Sequence, residues 1–472
     1  MHGKILIVDT IPTNRIVLKV KLAAAYYDVV QAGTLAEACT IAADGPLDLA
    51  ICAANLPDGD PADLVKALAS RRGGGTPVMV TARNLPDAER LRLLSSGVDE
   101  LIDEPVQDAL LVARVRSLIR AHNTATEWHI RDDTTRALGF AEDATSFAPQ
   151  SNVVLVGANT LRIQGWAARL RPLVNAELSL RQPQMALADV DPESDGDTTD
   201  TPDIFVLVTE DGATEQMLAL LSSIRAHSGT RHSAILVLQQ GDDPDLGARA
   251  LDLGANALMQ RDFNAHELAL RLGTLIRRKR IGDQLRATVR TGLKAAVSDP
   301  LTGLHNRRYA MPHLARLAQR AQTEGRPFAL MVADMDHFKQ INDVYGHAAG
   351  DAVLVETARR LRENLRGVDL VARVGGEEFL IVMPGVPIKN ARGAAKRLCR
   401  LISDTPFDIP GGPPIHATIS IGLAVGGTPH LKDVEVPAPE VTAQILMQQA
   451  DKALYKAKVN GRNCVTLSRP AA

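Results

Sequence analysis

Five short apolar runs punctuate residues 1–122: Ile5–Val8, Val29–Val30, Leu49–Cys52, Val78–Val80 and Leu101–Ile102. Helix-like stretches separate them, the last being Asp108–Ala121 with apolar Leu110, Leu111, Val115, Leu118 and Ile119. Short buried strands alternating with amphipathic helices predict a doubly wound parallel sheet with helices on both faces. The rhythm lapses over residues 123–150, which read as a linker, and then restarts. Val153–Val156, Ile204–Val208, Ala234–Leu238 and Ala257–Met259 read as buried strands, with a helix from about Ala265. A chain of 472 residues has room for about three domains.

Two further stretches bear on organisation. Asp189–Asp203 carries seven acidic residues and no basic one, which predicts a solvated loop. From Leu268 to Val297, Leu268, Leu272, Leu275, Leu285, Val289, Leu293 and Val297 recur at helical spacing. One long amphipathic helix fits, either packed on its own domain or paired with a second copy.

Composition excludes several classes. Lys and Arg total 53 against 55 Asp and Glu, and aromatics are only 3%. That balance argues against a dedicated nucleic-acid surface or a stacking platform. Cys39, Cys52, Cys399 and Cys464 are scattered with no CxxC pair, so neither a disulfide framework nor a zinc site is expected. No apolar stretch approaches the ~20 residues of a membrane span, and the apolar run after Lys4 is too short for a signal peptide. A cytoplasmic chain is the expectation.

The chemistry lies in the last third. Ala329–Ala333 reads as a buried strand, which places Asp334 at its solvent-reaching end. Gly375-Gly376, between Val371–Val374 and Phe379–Met383, reads as a β-hairpin turn from which Glu377 and Glu378 project. An acidic strand end beside an acidic turn is costly unless a cation neutralises it. Carboxylate oxygens with open positions suit Mg²⁺, and Mg²⁺ suits phosphoryl transfer. No GxxxxGK[ST] is present, so a P-loop is not expected.

Three segments occur in order: DPLTGLHNRRY from Asp299, DMDHFKQINDVYGHAAGD from Asp334, and RVGGEEF from Arg373. With Ser420-Ile-Gly422 and DKALYKAKVNGRN from Asp451, they resemble the GGDEF diguanylate cyclases over about residues 298–467. That family has a palm-like α/β domain and makes cyclic di-GMP from two GTP molecules. The resemblance implies Asp334 and Glu377 as Mg²⁺ ligands (Mn²⁺ as an alternative), helped by the Met335 carbonyl. Glu377 would also be the base for the ribose 3′-hydroxyl, and Glu378 would support the metal site. Asn342 and Asp351 match guanine-reading positions, with His347 in the same segment. An amide and a carboxylate can together satisfy guanine O6 and its N1/N2 donors. Lys339, Lys458 and Arg462 match triphosphate-contacting positions. Because one half-site holds one GTP, the resemblance implies a homodimer. Arg366-Gly-Val-Asp369 matches the family's inhibitory product site, with Arg397 as helper, and implies feedback inhibition by cyclic di-GMP.

The order of domains resembles PleD-type response regulators over nearly the whole chain: a receiver at 1–122, a linker at 123–150, an adaptor receiver at 151–283, a connector helix at 284–297 and the GGDEF domain at 298–472. Both front domains would be flavodoxin-like. A phosphorylatable receiver needs two acids for Mg²⁺, an Asp nucleophile, a Thr or Ser, and a Lys. Asp9 and Thr81 remain, but Thr10 replaces the second acid, Ala53 the nucleophile, and Glu104 the Lys. Asp58 and Asp60 lie past the strand end as candidate substitutes. The second domain has Val156-Gly157-Ala158 without acids, Val208 at the nucleophile position and Arg261 near the Lys position. No phosphoacceptor is therefore expected, and dimerisation would be constitutive or driven by a protein partner at these domains. Tyr26 and Tyr27 are candidates for a dimer contact. The competing readings are a catalytically silent cyclic di-GMP receptor acting through Arg366 and Asp369, and a docking scaffold built on the front domains.

Overall fold

The computed structural model describes residues 3–69, 75–137, 150–188, 190, 201–210, 213–241, 243, 245–409, 412–427 and 438–468, the side chains of 128–137 and 322 excepted. The chain forms two compact units, Met1–Ala287 and Thr288–Ala472.

The first unit opens with β1 (Lys4–Val8), α1 (Pro12–Ala24), β2 (Asp28–Ala32), α2 (Leu35–Asp44) and β3 (Leu49–Ala53). It continues through α3 (Pro61–Ala69), β4 (Val78–Ala82), α4 (Asp87–Ser95), β5 (Glu100–Asp103) and α5 (Asp108–Ala137). The strands lie in the order β2-β1-β3-β4-β5, all parallel. Helices cover both faces of such a sheet, so Ile5, Leu6, Ile7 and Val8 are all fully buried. The Thr34 hydroxyl starts α2 by accepting the Glu37 N–H at 3.2 Å.

The second half repeats the plan with β6 (Ser151–Val156), α6 (Thr160–Leu170), β7 (Ala176–Arg181), β8 (Ile204–Val208) and α7 (Thr214–Ala226). Then come β9 (Ala234–Leu238), α8 (Leu246–Asp252), β10 (Ala257–Met259) and α9 (Ala265–Val297). Its order, β10-β9-β8-β6-β7, is the same winding read from the other edge. Both halves are flavodoxin-like. The edge strand β7 escaped the sequence reading because AELSLR alternates polar and apolar residues, as a strand paired only with β6 can.

α5 also runs past its expected end, through residues expected to be linker, to Ala137. No Gly or Pro interrupts that stretch. The acidic segment within Asp189–Asp203 lies mostly outside the described residues. α9 is the single long helix its spacing predicts. Leu268, Leu272 and Leu275 are buried, whereas Leu293 is 63% exposed.

The two sheets of this unit are joined through α5. Leu110 and Ala113 enter the core that contains Phe205 and Leu218. α5 passes α8 at Gly247, where a Cβ would press on Leu110 and Leu258. Beside this contact lies a buried charge network. Glu100 binds Arg114 at 2.7 Å and Arg271 at 2.8 Å, and Arg271 also binds Glu267 at 2.9 Å. Burial alone would raise the Glu100 pKa, but Arg114 and Arg271 pull it below the usual carboxylate range.

The second unit contains β11 (His305–Asn306), α10 (Arg307–Glu324), β12 (Phe328–Asp336), α11 (Phe338–Tyr345), α12 (His347–Glu363) and β13 (Leu370–Arg373). After these come β14 (Glu378–Pro384), α13 (Ile388–Asp404), β15 (Thr418–Gly426), α14 (Pro439–Val459) and β16 (Val465–Leu467). The sheet order is β11-β13-β14-β12-β15-β16, with β12 antiparallel to both β14 and β15. This is a palm-like α/β arrangement with β12 near its centre. No helix among the described residues is long and apolar enough to cross a membrane.

Candidate active site

β12 stays buried to its last residues: Asp334 is 5% exposed, Met335 1% and Asp336 4%. Asp334 lies opposite Glu378 of β14 and Ser420 of β15. The Met335 N–H donates to the Glu377 carbonyl at 3.2 Å, which ties the Gly-Gly turn to the strand end. The turn itself closes with the Val374 N–H on the Glu378 carbonyl at 2.9 Å. Glu377 is the turn residue beside Asp334. Glu378, expected to project from the turn with it, is instead the first residue of β14. Its carboxylate folds over Gly375, where a Cβ would collide with Oε2.

Arg373 fixes the turn from below. Its Nε and Nη2 donate to the Gly376 carbonyl at 3.0 and 2.6 Å, and Nη1 reaches Asp299 at 3.1 Å. Asp299 in turn accepts the Thr302 N–H at 2.9 Å and hydroxyl at 2.7 Å. Arg373 and Asp299 position this turn, a role that their motifs alone do not show. The signal was their place, an Arg just ahead of the paired glycines and an Asp opening its segment.

Lys458 completes the acidic end. Its Nζ lies 2.7 Å from Asp334 Oδ1, and that oxygen has no aligned hydrogen bond. Gly422 makes this approach possible, because a Cβ there would run into the α14 backbone at Ala450 and Leu454. Burial holds the Asp334 carboxyl above its ordinary range despite Lys458, with Glu378 and Asp336 adding to the rise. Glu377 is raised in the same way, first by burial and then by the Asp334 charge.

After α14 the chain turns through Gly461, Arg462 and Asn463, all at positive φ. The Asn463 N–H donates to Asp336 Oδ2 at 3.0 Å. Asp336 also accepts the Thr418 and Ser420 hydroxyls, each at 2.7 Å. Asp336 therefore anchors the segment that carries Lys458 and Arg462 to the strand that carries Asp334. Sequence reading missed that role, although Asp336 shares a strand face with Asp334.

The other predicted residues gather on α11 and α12. Lys339 is exposed on the first turn of α11, His347 is exposed at the start of α12, and Asp351 is exposed one turn later. Asn342 packs its amide oxygen against Gly350, the residue before Asp351, where any Cβ would overlap it. The loop after α12 holds Arg366, whose Nε and Nη2 fork onto Asp369 at 3.2 and 2.7 Å. This pair borders a pocket of about 270 Å³ with His305 and Arg362. Arg397 on α13 donates to the carbonyl of Asn364, close before Arg366, at 3.4 Å.

Among the described residues, no three His, Cys, Asp or Glu side chains cluster tightly enough to hold a metal by themselves. Asp334 and Glu377 do present two carboxylates whose burial disfavours their charge, and a divalent cation would relieve that cost. The two carboxylates fit a hard divalent ion that takes its remaining ligands from outside the side chains of this site.

In the front domain, the switch point of the sheet holds Asp9, buried and accepting the Ile11 N–H at 2.8 Å and the Asn14 amide at 3.0 Å. Asp58 caps α2 through the Leu35 and Ala36 N–H groups at 2.9 and 3.0 Å. Asp60 holds Arg92 at 2.5 Å. Both candidate substitute acceptors are thus engaged.

Family models match this chain as "Response regulator receiver domain" over residues 5–116 and "Diguanylate cyclase, GGDEF domain" over 296–464. Response regulator PleD of Caulobacter vibrioides is 33% identical over 98% of this chain and 99% of its own. Diguanylate cyclase DgcP of Pseudomonas aeruginosa is 34% identical over 48% of this chain and 34% of its own. A crystal structure of the coiled coil and GGDEF domain of DgcB from Caulobacter crescentus, in complex with c-di-GMP, is 27% identical over 42% of this chain and 98% of that one, with a TM-score of 0.36.

Proposed function

The chain belongs to the PleD-type response regulators, diguanylate cyclases with a GGDEF domain behind receiver-like domains, and on that premise we propose that it condenses two GTP into cyclic di-GMP with Mg²⁺ and as a homodimer. The observation that carries this reading is the buried Asp334 carboxylate, beside the Glu377 turn and 2.7 Å from Lys458. In each of two steps, the 3′-oxygen of one GTP attacks the α-phosphorus of the other and pyrophosphate leaves.

Asp334, Glu377 and the Met335 carbonyl would hold Mg²⁺ (or Mn²⁺), which supplies Lewis-acid polarisation of the α-phosphate. Glu377 accepts the 3′-hydroxyl proton, and its raised pKa suits that task. Lys339, Lys458 and Arg462 offset the triphosphate charge, with Lys458 exchanging Asp334 for phosphate oxygens. Asn342 and Asp351 read the guanine edge, with His347 beside them. Each chain offers one such site, so two chains facing each other supply both reactants.

Purified protein given GTP and Mg²⁺ should release cyclic di-GMP and pyrophosphate, whereas ATP should yield no cyclic product. Equal turnover of ATP would contradict the guanine-reading roles.

Arg366 and Asp369, with Arg397, form the product site through which cyclic di-GMP inhibits the enzyme. The Arg366 fork now on Asp369 matches the O6/N7 edge of guanine equally well. Arg366→Ala should raise the product concentration for half-inhibition by at least about tenfold, since a charge-assisted bidentate contact is lost. An unchanged inhibition curve, scaled to each protein's own uninhibited rate, would remove the assignment.

Signals reach the cyclase without phosphorylation, through constitutive dimerisation or a protein partner on the front domains, in the cytoplasm where GTP is. Ala53 offers no oxygen, and Asp58 and Asp60 are engaged elsewhere. Acetyl phosphate with Mg²⁺ should leave no acyl-phosphate on the denatured chain. Stoichiometric labelling would show that a substitute acceptor exists.

A further inference from the structure

The first unit contains a cavity of about 320 Å³ between α5, the α7–β9 connection and α9, and its wall carries Arg120, Arg225, Arg231, Arg278, Lys279 and Arg286. Among the described residues no carboxylate lines it. Three carboxylates just outside engage part of this charge. Asp99 binds Arg278 at 2.6 Å, Asp283 binds Lys279 at 2.6 Å and also Arg286, and Asp203 lies 3.8 Å from Lys279. Arg120, Arg225 and Arg231 have no carboxylate partner among the described residues.

These three cations differ in what they can do. Arg225 spends every N–H on carbonyl or amide oxygens, including those of Gly254, Arg231, Ser233 and Asn256 at 2.6–3.1 Å. It is therefore a fixed charge in the wall with no donor to spare. Arg120 uses one N–H, on the Leu251 carbonyl at 3.3 Å, and Arg231 one, on the neighbouring His232 ring. Both are exposed at the mouth with their remaining donors available.

Like charges also act on the titratable groups of this wall, after burial as the larger cause. Burial, followed by Arg120, pushes Arg225 down to about 10. His232 is lowered by burial and then by Arg286, Arg231 and Lys279. Isolated like charges repel, so a wall with this imbalance stores unfavourable energy that a multivalent anion would relieve. Leu275 and Ile281 add an apolar stretch to the same wall. The volume is at the lower end for small-molecule sites, which begin at about 300 Å³.

We propose that this cavity is a binding site for an oligophosphate anion, and that the ligand is a nucleoside polyphosphate held by Arg120, Arg231 and Arg286 with its base against Leu275 and Ile281. The site lies in the front unit, on residues distinct from those assigned to GTP condensation and to product inhibition.

The test is calorimetric titration of the full chain, in EDTA to keep divalent ions out of the catalytic site, with sodium tripolyphosphate and with ATP as probes. One site per chain is expected, with an affinity that falls steeply as salt rises. The Arg120→Ser/Arg231→Ser pair, both exposed and so safe for folding, should weaken binding at least about tenfold. Lys339→Ala in the catalytic unit should leave it unchanged. Equal affinity for the two probes would mean that the phosphate chain alone is read. Tighter ATP would mean that the apolar wall is read as well. Either result supports the site. Absence of binding, unchanged affinity in the double variant, or loss confined to Lys339→Ala would each overturn it.

Discussion

Glu377→Gln should reduce cyclic di-GMP formation by about 10³-fold, within the ~10²–10⁴ that a positioned proton acceptor contributes. The substitution keeps the shape of the side chain and removes both its basicity and its charge. Glu377 sits in a turn fixed by Met335 and by Arg373 on either side of it, so the fold does not depend on its carboxylate. Stability should move the other way. The Glu377 pKa is raised in the folded protein by burial and by Asp334, so its ionised form disfavours folding. A carboxylate raised in this way stabilises below its unfolded pKa, and that contribution is lost as pH rises through the folded pKa. At neutral pH without metal, the Gln variant should therefore melt at or above the wild-type temperature, and Mg²⁺ should no longer raise its melting point. Product chromatography and thermal unfolding with and without Mg²⁺ check both parts. Activity within about tenfold of wild type would remove Glu377 from its role as base.

Glu100→Gln should be the most damaging single change to the front unit. The Glu100 side chain is 7% exposed, and those of Arg114 and Arg271 are 5% each. Removing the carboxylate leaves two buried guanidinium groups facing each other, and breaking a buried pair in this way costs about 3–5 kcal/mol. At about 2–4 °C per kcal/mol for a unit of this size, the first unfolding transition should fall by roughly 6–20 °C. Replacing the whole network with Glu100→Met, Arg114→Leu, Arg271→Met and Glu267→Leu should recover most of that loss, since apolar groups of similar volume need no partner and the Glu267 carboxylate that Arg271 holds at 2.9 Å is not left alone. Calorimetry of the three proteins decides. A drop under about 2 °C in Glu100→Gln would mean that water reaches the network and screens it.

The strands were legible where burial is two-sided. Ile204–Val208 is an unbroken apolar run because helices cover both faces of its sheet, and the same holds for Ile5–Val8. The polar edge strand Ala176–Arg181 carries no such run. The helix over Asp108–Ala137 overran its expected end because its last turns lack the apolar spacing that marks packed helix.

In the site, the strand end at Asp334 and the turn at Gly375-Gly376 could be read locally, since each depends on neighbours in sequence. The clamp from Arg373 to Asp299 spans 74 residues, and the anchor from Asp336 to Asn463 spans 127. Only folding brings those pairs together. The Glu100–Arg271 bond, 171 residues apart, was hidden for the same reason. Glu378 shows a subtler limit. Its place in the motif suggested a projecting acid, but the pairing of Val374 with Glu378 draws it into β14.

In the proposed reaction two chains, each holding one GTP, make one product. The direct measurement is the initial rate of cyclic di-GMP formation from GTP and Mg²⁺ across protein concentrations, with no phosphodonor present. The rate should rise faster than linearly with protein until the dimer is saturated. A rate strictly proportional to protein from the lowest concentration, in a chain shown by light scattering to be monomeric there, would contradict it. No product from a folded dimer that still binds cyclic di-GMP would contradict it as well, and would favour a receptor acting through Arg366 and Asp369.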